Sequence, residues 1–387
     1  MNQEFFTNLP SEIIINILSR LPIRNIIISK CVCKPWLNLL ETPEFAKSHL
    51  SKSVPGLVVY REMATGIFNI LEFEESLELE NHELHYNPVV ELDRRAFSSL
   101  PYGCIGIQGS ANGLLLLREF NTQPNALYVC NPITREYIEL PSPKWMACSY
   151  PTIVTYGFGV SKMSGEYKVV RIYHECIRDP STHALMSIPK SEYQIYTLGT
   201  GSWRRIILGD CFEYNCRSSG VFLNGNLHWL VADLKDSSLI SCLNLETELF
   251  SSFCTPTLPE RSRFLGGIVV LGDCLCLCDN TSENEIVIWV MKEYGVETSW
   301  TKEFVISKIP DFAGESHEVV SPLKVFRDGD ILMWWEDFSL FYYCNKSKTA
   351  RKLDMFEQET CWRLDAMLHT SSFVSLKSFV IENVNSF

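Results

Sequence analysis

The side chains with which this sequence could do chemistry are 15 cysteines, eight histidines and a surplus of carboxylates, and spacing decides what is open to them. His82-Glu-Leu-His85 holds two imidazoles three residues apart, a separation compatible with metal ligation, but its surroundings read as a solvated acidic loop. No metal site is assigned. Cys274-Leu-Cys276-Leu-Cys278 is the densest thiol cluster. Alternate residues of a strand share a face, so the three thiols point one way, and neighbouring ladder positions do not form a tetrahedral S4 cage. No Cys-x-x-Cys occurs, and the cysteine count is odd. Reduced thiols acting as small hydrophobes are expected, with the sequons Asn280-Thr-Ser282 and Asn345-Lys-Ser347 unused. His228-Trp229 lies beside a hairpin strand and reads as structural.

No His-Glu-x-x-His, P-loop, nucleophile-elbow or dinucleotide-fingerprint motif is present, so no catalytic residue and no cofactor is assigned. The net charge of −12 lacks the basic footprint of a nucleic-acid binder. Residues 1–50 carry five Lys/Arg against four Asp/Glu, net +1, so residues 51–387 carry −13. That acidity keeps a large domain soluble or favours basic partners. No window approaches 18 uninterrupted apolar residues, and the N-terminus has no basic region before its apolar run, so neither a membrane span nor a signal peptide is expected. These features point to the cytoplasm or nucleus.

Stepping along the chain, Ile13, Ile14, Ile17, Leu18 and Leu21 form one apolar stripe at helical spacing. Pro10 suits the helix start, Glu12 suits its dipole, and Leu21-Pro22 stops it. A second helical stretch runs through Ile26, Ile27, Cys31, Val32, Trp36 and Leu40, with a break or kink expected at Pro35. Fifty residues with two narrow stripes bury little alone, so the piece wants a partner in the chain or outside it.

The segment LPSEIIINILSRLPIRNIIISKCVCKPWLNLLETPEF resembles a plant F-box along its whole length, through Leu9-Pro10, Glu12, Ile17-Leu18, Arg20-Leu21-Pro22, Val32-Cys33-Lys34, Trp36, Leu39, Pro43 and Phe45. Ile28-Ser29 departs from the bulky or basic pair frequent there. The resemblance implies docking on an SKP-family adaptor of a cullin–RING ubiquitin ligase. Leu9, Pro10, Ile13, Ile17, Leu18, Leu21 and Pro22 would supply the apolar surface, and Val32 and Trp36 would hold the helices together and extend it.

From residue 57 the helical period gives way to a repeated unit: an apolar strand, a Gly-containing turn, a strongly apolar strand, a polar connection and a closing hairpin. The turn glycines Gly113, Gly165, Gly225, Gly272 and Gly329 mark five copies, and Gly66 marks a sixth. Four strands per roughly fifty residues is a β-propeller signature, with a β-sandwich as the structural alternative. The fold expected is therefore α+β over the chain: helical residues 1–50, a linker 51–56, and an all-β, kelch-like propeller of about six blades over 57–387. Residues 371–381 have period-two character and are expected to close the ring on the first blade. Trp203, Trp229, Trp289, Trp300, Trp334 and Trp335 fall at strand positions and are expected to pack between blades.

The strings SANGLLLL, CNPITREYIELP, YGFGVSKMSGEYKVVRI, GVFLNGNLHWL, LNLETELF and IWVMKEYGVETSW resemble the F-box-associated domain of plant F-box proteins. The S-locus branch is compatible in length, but these strings are shared too widely to assign a branch. The family's role would be that of a non-catalytic adaptor that recruits an unidentified target protein for ubiquitination. A propeller enzyme with a central-channel site, or an F-box scaffold outside a ligase, are the rival readings. The long connections 174–190, 142–150, 208–219, 255–263 and 307–320 all fall on one face, so that face is expected to hold the target, with His174 to Lys190 the largest contributor.

Overall fold

The computed structural model describes residues 9–62, 66–73, 88–93, 95, 104–120, 126–143, 152–178, 185–206, 219–232, 238–256, 266–282, 284–308, 319–335, 339–353 and 363–386. The His82/His85 pair lies outside them, as does most of the connections named above. Four short helices come first: α1 (Ser11–Leu18), α2 (Ile23–Ser29), α3 (Lys34–Leu40) and α4 (Pro43–Leu50). Prolines punctuate them. Pro10 and Pro22 cap α1 and α2, while Pro35 and Pro43 lie in the first turns of α3 and α4, where a missing N–H costs nothing. The break expected at Pro35 thus falls just before it, between Ser29 and Lys34. Thr42 Oγ1 caps α4 by accepting from Phe45 N at 3.2 Å. Helices of seven or eight residues are unstable alone, so packing must hold them.

Six antiparallel sheets follow. The first contains β1 (Gly56–Glu62), β2 (Ile67–Leu71) and β3 (Val90–Asp93), and the second β4 (Ile105–Ala111), β5 (Leu114–Glu119), β6 (Leu127–Asn131) and β7 (Glu136–Glu139). The third is β8 (Thr152–Val160), β9 (Tyr167–Arg178), β10 (Leu185–Thr197) and β11 (Trp203–Ile206). The fourth is β12 (Val221–Leu223), β13 (Asn226–Ala232), β14 (Ser238–Asn244) and β15 (Phe250–Cys254). The fifth is β16 (Gly266–Leu271), β17 (Cys274–Asp279), β18 (Glu285–Met291) and β19 (Trp300–Ser307). The sixth is β20 (Val320–Val325), β21 (Ile331–Trp335), β22 (Ser339–Cys344) and β23 (Thr349–Lys352). Last come β24 (Arg363–His369), beside β1, and β25 (Val384–Ser386), beside β7. This is a six-bladed propeller behind four helices.

Two details differ from expectation. The strand that completes the first sheet is Arg363–His369, not 371–381. Residues 371–376 instead run between the helices and the second sheet, where their backbone groups bond to side chains rather than to a ladder. The glycine hairpins of the other five sheets join an edge strand to its neighbour, whereas Gly66 joins the two central strands of the first. With β24 supplying one edge, that sheet's own turn shifts by one place. All six turn glycines have positive φ.

The chain forms two compact units. One holds the helices, the first two sheets and the C-terminal segment. A single core runs through it: Leu18, Ile26, Leu40 and Phe45 of the helices join Val58, Tyr60, Phe68 and Ile70 of the first sheet and Ile105, Leu115 and Leu117 of the second. The other unit holds the third to sixth sheets. Its cores include Trp229 with Val170, Ile172 and Leu243, and Cys276 and Cys278 with Ile288 and Phe341, so two of the three clustered thiols fill apolar space. Trp229 fits because a Cβ on Gly157 or Gly220 would lie 2.6 or 2.5 Å from its ring.

Candidate protein-docking site

The apolar stripe of α1 straddles the edge of the core. Ile14 packs against the core and Leu18 is 3% exposed, whereas Ile13 and Ile17 are 46% and 51% exposed. Pro10, Ile13 and Ile17 therefore make an outward ridge at i, i+3, i+7 spacing, with Leu9 half-buried at its start. Leu21 is half-buried and Pro22 exposed. Leu18 is withdrawn from the surface, because the inward edge of an amphipathic helix must bury something. Trp36 packs against the core as a brace, but Val32, expected to brace with it, is 62% exposed. Ile28 is equally exposed. Its signal in the sequence is the run Ile26-Ile27-Ile28: three consecutive residues of a helix cannot all face inward.

The outward ridge is held from behind. Glu72 Oε1 accepts from Ile23 N at 3.0 Å, occupying a free donor at the start of α2, and Arg24 Nη2 donates to Pro88 O at 3.1 Å. Phe373 packs edge-on to Phe45 at 5.5 Å and to His49 at 5.1 Å, with the Lys30 ammonium 5.5 Å from its ring centre. Burial, with Lys52 nearby, lowers the His49 pKa to about 4, so the ring stays neutral. Asn131 Nδ2 donates to Ser372 O at 3.1 Å and Val374 O at 2.7 Å, and Glu136 accepts from Leu376 N at 2.7 Å. The C-terminal segment is thus a strap joining α4 to the second sheet.

Similar stitches recur in the other unit. Glu246 accepts from Met163 N and Ser164 N at 3.1 Å, and Lys168 Nζ donates to Leu245 O at 2.7 Å and to Glu248 at 2.9 Å. His228 Nδ1 lies 3.1 Å from Val221 O, so that nitrogen carries the proton, and Nε2 accepts from Tyr294 Oη at 2.7 Å. Trp203 and Trp300 donate their indole N–H to Pro141 O and Cys254 O, at 2.7 and 3.2 Å. His228 and these tryptophans are structural.

The expected loop from His174 to Lys190 is mostly a hairpin. β9 and β10 continue into it, with Ser191 opposite His174 and Lys190 opposite Glu175, and with register shifts beyond. His174 is buried, with Nδ1 2.7 Å from Ser191 Oγ, and burial lowers its pKa to about 4. The two strands satisfy each other's backbone, which a polar, Pro-containing sequence had not suggested. Strands of 12 and 13 residues make this hairpin longer than any other described.

A model of the F-box domain matches residues 6–48, and a model of the F-box associated beta propeller domain matches residues 85–380. The chain belongs to the F-box proteins with an associated β-propeller domain. Among its relatives in Arabidopsis thaliana, F-box protein At3g07870 is 30% identical over 87% of this chain and 85% of its own length. F-box protein CPR1 is 30% identical over 89% and 84%, and F-box/kelch-repeat protein At3g23880 is 25% identical over 88% and 89%. The domain pair is that of a substrate-recognition F-box protein.

In this F-box protein the family-like strings prove to be the stitches. CNPITREY contains Asn131 and Glu136, which hold the C-terminal segment, and LNLETELF contains Glu246 and Glu248, which grip the turn in YGFGVSKMSGEYK. Asn131 and Asn244 each also accept two turn N–H groups, Asn131 from Ile133 and Thr134, Asn244 from Glu246 and Thr247. The sequence showed the strings; which turn each one reaches is a tertiary matter. Among the described residues no group of three His, Cys, Asp or Glu could hold a metal ion, and no helix is long and apolar enough to cross a membrane.

Proposed function

We propose that this chain is the substrate-recognition subunit of an SKP–cullin–F-box ubiquitin ligase, docking on an SKP-family adaptor through the ridge Pro10, Ile13 and Ile17. The observation that carries the reading is that α1 turns two large aliphatic side chains to solvent while its other edge is fixed in the core. Covering such side chains stabilises a complex by about 1–2 kcal/mol each. Leu9, Leu21, Pro22, Ile28 and Val32 extend the apolar surface. The chain supplies no chemistry itself: a target held beside the loaded conjugating enzyme reacts because its effective concentration is raised. The thiols packed in apolar cores suit a reducing compartment, cytosol or nucleus.

The β9–β10 hairpin is the proposed contact for the target protein, because it projects an element the other blades lack. Adaptor pull-down tests the docking half: Ile13→Asp/Ile17→Asp loses capture while thermal stability stays near wild type, since both side chains are exposed. Capture equal to wild type would refute it. Shortening the hairpin to a tight turn after Glu175 leaves adaptor capture intact and removes the target; retained target capture would dismiss the hairpin.

A further inference from the structure

A groove of about 480 Å3 opens between the α1–α2 turn, the segment following α4 and the first sheet. Its cationic wall is Arg20, Arg24 and Lys52. Arg20 Nε and Nη2 lie 3.3 Å from Asn16 Oδ1, and Lys52 Nζ lies 3.0 Å from the same oxygen and 2.6 Å from Ser19 Oγ. Among the described residues neither Arg20 nor Lys52 meets a carboxylate. Glu72, which accepts from the Ile23 amide, is the carboxylate among the described lining residues, so three cations face one anion there. His49, also in the wall, is held neutral and adds no charge. On a chain of net charge −12 this is, among the described residues, a local excess of positive charge.

The groove is also part apolar, through Leu21, Pro22, Val54 and Val89. Leu21 and Pro22 belong to the proposed adaptor surface as well, so the groove continues that surface toward the first sheet. A free phosphate would use the cations but not the apolar lining. An acidic peptide with one or two apolar side chains uses both, and the volume lies in the range of sites that enclose a ligand of a few groups. We propose that the groove receives an extended acidic segment of the same partner that docks on α1. The inference rests on the docking reading above.

The experiment is isothermal titration of the full chain with an SKP-family adaptor, at low and at physiological ionic strength. Arg20→Glu/Arg24→Glu is expected to weaken binding about tenfold at low ionic strength, with the loss shrinking as salt is added. Lys47→Glu, a charge reversal half that size on the exposed face of α4 outside the groove, is expected to leave the affinity within about twofold. Because Arg24 also bonds Pro88, Arg20→Gln/Lys52→Gln is the second variant, expected to lose about threefold and to flatten the salt dependence. Groove variants that bind like wild type, while Ile13→Asp does not, overturn the groove and leave the docking reading standing. Loss of affinity with an unchanged salt slope also overturns the groove. A wild-type chain that fails to bind refutes both.

Discussion

Removing the ring of Phe373 should loosen the F-box from 330 residues away in sequence. The side chain is 5% exposed and stands against Phe45, His49 and Lys30. Truncating a buried Phe to Ala costs about 3–5 kcal/mol, part of it the edge-to-face contacts. The strap itself stays anchored by Asn131 and Glu136, so the cost falls on the helix it supports. Taking about 3 kcal/mol as the loss in the opening free energy of α4, the amides that exchange through that opening speed up about a hundredfold. The assay is hydrogen exchange read by mass spectrometry on peptides covering Pro43–Leu50, with peptides of β17 and β18 as an internal reference. Phe373→Leu, which keeps most of the volume, should recover more than half of the protection. Exchange in α4 within about threefold of wild type for Phe373→Ala would refute the strap, because a free-energy change below about 0.7 kcal/mol is incompatible with a filled core site.

Gly113 and Gly165 separate strain from contact. Gly165→Ala, at φ +72 with no atom within 4 Å of the new Cβ, should cost about 1 kcal/mol, whereas Gly113→Ala places a Cβ 1.9 Å from Ser372 Oγ and should cost at least twice that in urea denaturation. Equal costs would count against the strap's close approach. Glu248→Ala leaves Lys168 buried without its nearest carboxylate and should destabilise by about 2 kcal/mol, a partner-loss penalty discounted for the part-exposed glutamate; a melting temperature unchanged from wild type would contradict this. His49, His174, His228 and His369 all have pKa values lowered by burial to about 4, against about 6.5 unfolded. Between those values the unfolded chain binds more protons, so stability rises with pH across that window and falls as pH drops from about 6.5 to about 4; above it these groups give no slope. Each contributes at most about 3 kcal/mol at the acid end, and His174→Gln should flatten the melting-temperature profile in that window.

The F-box hook was legible because its signals are local. Proline positions, an i, i+3, i+4 stripe and the Leu-Pro pairs define short helices whatever surrounds them, and turn glycines with obligatory positive φ mark each hairpin in the same way. Periodicity also showed that α1 has an apolar face, but not which edge of that face is covered. Leu18 and Ile17 are adjacent and equally apolar, yet one is buried and the other half exposed, because α3 and α4 pack against one side of the helix only. The extension of the β9–β10 hairpin past His174 was not legible, because Pro180 and Pro189 and a mixed run of polar and apolar residues break the period of two, and its backbone is satisfied by pairing across 17 positions, as His174 with Ser191.

The sequence by itself determined the module types, their order and the repeated strand cassette, each specified by neighbours a few residues apart. Only the tertiary structure decided that residues 363–369, and not 371–381, complete the first sheet. It likewise decided that 371–376 serve as a strap and that the hook shares its core with the first two blades. The strand and the strap join segments more than 200 residues apart, and the shared core joins helices to sheets beyond the reach of any local period. Their stability comes from shape and from buried donors finding acceptors, and neither leaves a period in the chain.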